Sequence, residues 1–344
     1  MNNEIYNKNL EEHILLAHGN GGKLTSQLIE TCFLPYFQDP LLNQLNDQAI
    51  FDLEGCRIAF TTDSFVVDPI FFPGGDIGKL AVYGTVNDLA VGGATPLYLS
   101  VGFIIEENFP MEDLKKISSS ISTAAKEARI RIVTADTKVV GKGACDKIFI
   151  NTSGIGIVKK GIDFSGHNVC AGDKILLSGD IGDHGIAILS TREGIEFETS
   201  IKSDCAPLNL LVNDFLSYAN HIHAMRDPTR GGLGTILNEI AMQSGLGITI
   251  HEDCIPFKEE VRGLCELLGL DPLYLANEGK LVAFVHPDKA EDILSIMKKN
   301  PLGENACIIG EVLKESSKKV TMETQVGGSR FIDMLVGEDL PRIC

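Results

Sequence analysis

Residues 76–93, DIGKLAVYGTVNDLAVGG, constrain the fold more than any other stretch of the chain. The pattern is helical over 76–91 and is stopped by Gly92-Gly93 and then Pro96. Small residues at 81, 84, 85, 90 and 92–94 let a neighbouring element or a ligand come unusually close. Yet Asn87 and Asp88 stand between Val86 and Leu89, where a buried-looking helix would ordinarily exclude them. Burying such a polar pair costs free energy unless each group finds a partner. A fold built on this helix therefore has to hold polar chemistry inside a close-packed layer.

The rest of the chain mixes strand and helix patterns without a strict strand–helix–strand rotation. A glycine loop at 18–22 precedes a helical stretch at 24–37, and RIAFTTDSFVVDP from 57 reads as a strand. Past the first helix come a β-rich run at 96–105, an amphipathic helix near 111–128, and strands at 129–140 and 147–158. The second half opens with DKILLSGDIGDHG at 173–185 and a helix after it. Helices follow near 207–220, 233–244, 258–268 and 287–299, with strands near 246–250, 280–285 and 306–324. This mixture predicts an α+β fold rather than a doubly wound sheet. A chain of 344 residues suits two domains rather than one core. The expected organisation is an N-terminal segment at 1–45, a first domain at 46–158, a polar linker at 159–172, a second domain at 173–334 and a flexible tail at 335–344.

A net charge of −17 makes nucleic-acid backbones and anionic membrane surfaces poor partners, and a phosphate-rich ligand would need divalent cations. No run reaches the 18 apolar residues of a membrane span, and the first residues lack the pattern of a secretory signal, so a cytoplasmic protein is expected. The nine cysteines are an odd count with no C-x-x-C, which argues against a disulfide framework or a zinc site. Most are expected to be small buried residues in a reducing compartment. The last of them, Cys344, ends the chain in PRIC.

Three aspartates interrupt apolar patterns. Asp63 breaks AFTTDSFVV, Asp88 lies in the helix above, and Asp136 sits in IVTADTKVV beside Thr137 and Lys138. Aspartate is disfavoured in strands, so Asp63 suggests either cation ligation or a strand end capped by an Asx turn, Asp136 repeats the pattern at a strand end, and the three aspartates together suggest a shared cation site. Carboxylate, hydroxyl and ammonium together suit a cation and a phosphate. In MRDPTRGGLGTILNEI, Arg226, Asp227, Thr229 and Arg230 lead through two glycines into a helix, a combination that suits a phosphate or a turn with its own ion pair. The loop HGNGG, with Gly21 and Gly22, could wrap a phosphate through its N–H groups, although it lacks the lysine of a P-loop.

Taken in order, AHGNGG, TTDSFVVDP, GTVNDLAVGGATP, ADTKVV, INTSGIGIV, LLSGDIGDHG, RDPTRGG and NEGKLV cover nearly the whole chain. This set resembles the ATP-binding superfamily of aminoimidazole ribonucleotide synthetase, selenophosphate synthetase and thiamine-monophosphate kinase. With the terminal PRIC it is similar to that superfamily's carbamoyl dehydratases of NiFe-hydrogenase maturation. Asn20 stands where a small residue is more usual, and Ala135 replaces the glycine of GDTKVV; neither change removes a charged group.

The resemblance implies a two-domain PurM-like fold and a homodimer whose N-terminal domains pair into a β-barrel-like sheet, with ATP near the subunit interface. It implies that Cys344 receives a carbamoyl group from a HypF-type carbamoyltransferase. ATP then dehydrates the S-carboxamide to a thiocyanate, and the cyanide passes to iron on a HypC–HypD complex. Asp63, Asp88, Asp136 and Asp227 match the magnesium-ligand positions, and Mg²⁺ would neutralise the triphosphate. Lys138 would stabilise the transferring phosphoryl group, with Asn87 and Thr137 as phosphate or outer contacts. Glu278, in LANEGKLV, would bind or deprotonate the carboxamide nitrogen or simply end a helix, and Arg226 and Arg230 would hold phosphate or the tail.

Nine Cα steps from 335 to 344 reach roughly 30 Å, enough to cross a cleft, and Pro341 biases Leu340 toward an extended shape. The competing reading is a small-molecule kinase of the selenophosphate synthetase or thiamine-monophosphate kinase type, which needs no terminal thiol. The first of these typically has a reactive cysteine in its glycine loop, and none lies between 13 and 23. A non-enzymatic assembly scaffold leaves the internal aspartates unexplained, and prenylation requires a cysteine fourth from the end.

Overall fold

The helix over 77–91 lies at the centre of the first half because every one of its residues except Lys79 and Asp88 is buried. The computed structural model of the chain describes residues 13–192, 199–336 and 342–344. In the first half β1 (Ala49–Leu53), β2 (Cys56–Phe65), β5 (Ala94–Glu106), β6 (Arg131–Val140) and β7 (Ile148–Val158) form a sheet of order β1-β2-β7-β5-β6. β3 (Phe71–Phe72) and β4 (Gly75–Asp76) make a small hairpin. The helices are α1 (Lys23–Leu28), α2 (Leu34–Phe37), α3 (Ile77–Val91) and α4 (Met111–Glu127).

Asp76 caps α3, its Oδ1 accepting from Gly78 N at 2.7 Å and Lys79 N at 3.2 Å. The small residues do what their spacing implies. A Cβ on Gly84 would lie 2.9 Å from the Phe65 ring, and one on Gly154 would lie 2.7 Å from Thr85. Glycine at both positions lets helix and sheet approach closely, and Phe65 is buried at that contact. Strand alternation then turns Ala59, Thr61 and Phe65 inward to this helix, with the partly buried Asp63 on the same face of β2.

The second half is a seven-stranded sheet from β8 (Lys174–Leu177), β9 (Ile222–Arg226), β10 (Ile248–His251), β11 (Val282–Val285), β12 (Cys307–Val312), β13 (Val320–Glu323) and β14 (Ser329–Ile332). Its order is β14-β13-β10-β12-β8-β11-β9, with β10 and β13 parallel and the other pairs antiparallel. Helices α5 (Asp183–Leu189), α6 (Asn209–Phe215), α7 (Gly232–Ser244), α8 (Glu259–Leu268) and α9 (Pro287–Met297) accompany it. The mixed α+β reading therefore holds for both halves.

Five strands escaped the sequence pattern: β1, β9, β14 and the two-residue β3 and β4. β9 carries His223 and Arg226 among its buried apolar residues, and β14 is a short edge strand exposed at three of four positions. Neither shows the alternation that marks a half-buried strand. The expectation that most cysteines are buried is also corrected. Only Cys265 and Cys344 are buried, while Cys32, Cys56 and Cys170 are exposed, and all nine are free. Among the described residues no helix is long and apolar enough to cross a membrane. The sheet of the first half is open, with β6 at one edge.

One buried pair gives the fold a pH signature. Asp173 is fully buried and its Oδ2 lies 2.7 Å from His223 Nδ1, a hydrogen bond that raises the histidine above its ordinary value. A raised folded-state value stabilises fully below the unfolded value of about 6.5, and this is lost as pH rises through the folded value. Urea unfolding of wild type and His223→Gln should differ by about 1.5 kcal/mol at pH 5.5, with the gap closing by pH 8.5. A pH-independent gap would show that the pair is not ionic.

Candidate functional site

The last three residues of the chain are clasped between the two halves. Val66 N donates to the main-chain oxygen of Cys344 at 3.0 Å and Asp68 N to the Arg342 carbonyl at 3.2 Å. Arg342 Nε returns a bond to the Val66 carbonyl at 2.9 Å, and its guanidinium pairs with Asp146. Ile343 and Cys344 thereby join the apolar core of Phe65, Val67, Ile188 and Ala276, and Cys344 is only 7% exposed. Leu340 and Pro341 lie outside the described residues.

Around this thiol the fold gathers carboxylates. β2 supplies Asp63, α3 supplies Asp88, the turn after β9 supplies Asp227, and the loop before β11 supplies Glu278. Thr61 Oγ1 donates to Asp88 Oδ2 at 2.8 Å. Burial, and after it the charges of Asp227, Asp47 and Asp63, hold Asp88 well above the carboxylate range. Burial and the charge of Asp47 push Asp227 up to about 8. Glu278 is 3% exposed, and its Oε1 has no hydrogen-bond partner. Burial, then Asp204, Asp227 and Asp63, raise it well above the ordinary glutamate value, against the pull of Arg230.

Arg230 is the cation of this cluster. Its Nη2 lies 3.9 Å from Asp63 Oδ1, its Nη1 donates to the Gly19 carbonyl at 3.4 Å, and it lies close enough to Cys344 to favour that thiol's ionised form. Burial pushes the Cys344 thiol far up, Arg230 pulls it down, and Glu278, Asp63 and Asp227 raise it further. Asp63 and Asp227 each raise other carboxylates of this buried group, and oxygen donors of this kind are the type a hard divalent cation takes. Among the described residues no three such groups are already drawn together at ligand spacing.

The glycine loop sits against the same cluster. A Cβ on Gly21, whose φ is +79°, would lie 2.7 Å from the Arg230 carbonyl oxygen, and one on Gly22 would lie 2.3 Å from that of Leu335. Lys23 N donates to the Leu335 carbonyl at 3.0 Å, so the loop, Arg230 and the root of the tail form one contact. Gly22→Ala forces that contact apart and should destabilise the chain by about 1–3 kcal/mol in urea unfolding, whereas wild-type stability would show that the loop can shift freely.

The remaining residues singled out in the sequence are placed differently. Asp136, Thr137 and Lys138 are exposed on β6, where Lys138 Nζ pairs with Asp136 Oδ2 at 2.6 Å rather than with the buried cluster. Asn87 is likewise not free for phosphate. Its Nδ2 donates to the carbonyls of Ala206 and Glu278, and its Oδ1 accepts from Leu208 N at 2.8 Å, so it clamps α3 to the second half. That solves the burial cost noted in the sequence. Arg226 is 4% exposed and committed to Asp47 and the Leu45 carbonyl.

Four residues went unread. Asp47 and Asp204 lie in polar loops with no pattern to single them out. Thr61 looks like an ordinary strand threonine. His184 stood in the quoted GDIGDHG and is fully buried in α5, a polar interruption that was legible in principle.

Known proteins resemble the chain across both halves. The family model for the N-terminal domain of AIR synthase related protein matches residues 45–158, and the model for its C-terminal domain matches 171–323. The carbamoyl dehydratase HypE of Azotobacter vinelandii is 52% identical over 329 residues, covering 96% of each chain. The chain belongs to the HypE family. Its backbone superposes on the HypE of a HypE–HypF complex with a TM-score of 0.85, at 52% identity and covering 90% of this chain and 99% of the other. A HypE solved in complex with ATP gives a TM-score of 0.81 at 50% identity, covering 96% and 99%. Both halves therefore have the PurM-like fold that the motif order implied.

Proposed function

We propose that this HypE-family chain dehydrates an S-carboxamide carried on its own Cys344 to a thiocyanate, consuming ATP, and so supplies the cyanide ligand of a NiFe-hydrogenase iron centre. The observation that carries the reading is the terminal cysteine enclosed beside Glu278, whose Oε1 is buried and unpartnered. A carboxamide on that sulfur would offer its N–H groups to a carboxyl whose raised pKa makes it a better base than an ordinary glutamate once ionised.

The amide oxygen cannot leave as hydroxide. Phosphoryl transfer from ATP to that oxygen, with loss of one N–H proton, gives a phosphate leaving group. Glu278 takes the second N–H proton, the C–O bond breaks, C≡N forms, and ADP and phosphate depart. Arg230 faces the cleft where negative charge accumulates. Held by Asp63, Asp88 and Asp227, Mg²⁺ would offset the charge of the triphosphate.

In the inserted state the thiol is held protonated, and a protonated thiol is a poor nucleophile. Carbamoylation therefore belongs to an extended tail, and dehydration to the inserted one. A relative crystallised as a HypE–HypF complex supports a HypF-type carbamoyltransferase as the loading partner, with a HypC–HypD complex as cyanide acceptor by family resemblance.

We further assign the reaction to a cytoplasmic homodimer. Nine of the ten residues of β6 are exposed, and Phe60, Ile104, Ile155 and Ile157 leave an apolar outer face on the same sheet. Pairing through that face would bring Asp136, Thr137 and Lys138 against a second copy, where they would serve the nucleotide. In this scheme 46–158 binds ATP, 173–334 carries Glu278 and Asp227, 159–172 links them, and 335–344 is the moving tail.

Heavy oxygen in the carbamoyl group tests the chemistry. The label should appear in inorganic phosphate, one per chain in a single turnover. Label released to water would reject phosphoryl activation, and phosphorylation of a small molecule with Cys344 unmodified would favour the kinase reading.

A further inference from the structure

We propose that His184 is the positioning residue that fixes how far the C-terminal tail enters the cleft, by holding the carbonyl of Ile343. The main-chain oxygens of three consecutive tail residues are each held. Arg342 O accepts from Asp68 N at 3.2 Å and Arg192 Nη2 at 3.0 Å, Ile343 O from His184 Nε2 at 2.8 Å, and Cys344 O from Val66 N at 3.0 Å. Two of these bonds come from backbone N–H groups on the segment 66–68. Such a strand-like edge would pair equally well with the tail displaced by two residues, because it reads backbone and not identity. His184 on α5 and Arg192 just past its end are side chains that each offer a donor at one place, and His184 is the fully buried one, on the carbonyl next to the thiol-bearing residue. With Arg192 holding Arg342 O one residue back, His184 sets the register that the edge leaves open.

The ring is built to stay there. A carbonyl only accepts, so Nε2 carries the proton and Nδ1 is the acceptor, which is the role a hydroxyl donor fits. Ser203 Oγ lies 2.8 Å from Nδ1, and its own position is fixed by accepting from Cys205 N at 3.1 Å and by Ser203 N donating to the Pro73 carbonyl at 2.8 Å. Phe72 meets the imidazole edge-on at 5.5 Å, and no part of His184 is exposed. None of these contacts touches sulfur, so the latch holds a thiol, carboxamide or thiocyanate tail at the same depth. This inference rests on the reading that the tail works by entering and leaving the cleft.

The test is alkylation of the full-length protein by a small thiol reagent, with Cys344 followed by mass of the C-terminal peptide and exposed Cys56 as internal standard. Relative to Cys56, His184→Leu should alkylate Cys344 about 3- to 10-fold faster, the worth of one buried hydrogen bond. His184→Gln, whose amide can still donate, should return most of the protection. If His184→Leu does not fold, Ser203→Ala replaces it, with an expected rise of about 2- to 3-fold. Wild-type protection of Cys344 in a folded His184→Leu or Ser203→Ala chain would overturn the proposal. The assay needs no carbamoyl donor, so failure of wild-type Cys344 to be carbamoylated would sink the dehydratase reading and leave this measurement standing.

Discussion

Glu278→Gln will stall the chain with a carboxamide on Cys344 while ATP is still bound, slowing dehydration about 10²- to 10⁴-fold. The expected effect is this large because, among the described carboxylates around the thiol, Glu278 is the one with a buried oxygen that has no hydrogen-bond partner. Asp63 is tied to Ser64 N, Asp88 to Thr61 and Asp204 to the backbone of Glu278 and Gly279, while Glu278 Oε1 has no partner at all. Glutamine keeps the volume and the backbone bonds, so the fold survives. It removes one of several mutually repelling buried carboxyls, and the unliganded protein should lose no stability. Rapid-quench analysis of the carbamoylated chain reads the step directly. Dehydration within tenfold of wild type would move the base elsewhere.

Asp88→Asn should show opposite effects on the two states of the protein. Without ligand, the carboxyl is held in an unfavourable place by burial and by Asp227, Asp47 and Asp63. Asparagine keeps the Thr61 hydrogen bond and drops the charge, which should stabilise the unliganded chain by roughly 1 kcal/mol. With Mg-ATP the sign reverses. Wild type should gain several degrees in thermal midpoint, and the variant little or none, because its affinity falls about 10²-fold or more. A variant less stable without ligand and normally stabilised by Mg-ATP would mean that Asp88 is a structural residue rather than part of the cation cradle.

Much of the fold was readable because its signals are local. The helix at 77–91 announced itself through its small residues and terminal glycines, and the Gly84–Phe65 and Gly154–Thr85 contacts are the packing that those residues allow. What the pattern could not supply was the destination of polar groups. Asn87 and Asp88 are adjacent in sequence and look equivalent, yet successive helix positions point about 100° apart. One faces the backbone of 206–208 and becomes a clamp, while the other faces Thr61 and the carboxylates. Likewise Asp136 resembles Asp63 as an aspartate in a strand, but β6 is the sheet edge and β2 lies inside, a difference set by strand order alone. Asp47, Asp204 and His184 act through long-range contacts that no local spacing encodes.

The central claim is that the terminal thiol is the reacting centre, and one measurement addresses it most directly. The chain is incubated with a HypF-type carbamoyltransferase, carbamoyl phosphate and ATP, and the mass of its C-terminal peptide is then followed on addition of Mg-ATP. The account predicts a carbamoyl adduct on Cys344 that loses one water. An unmodified Cys344, under conditions in which a HypE relative is modified, would contradict it.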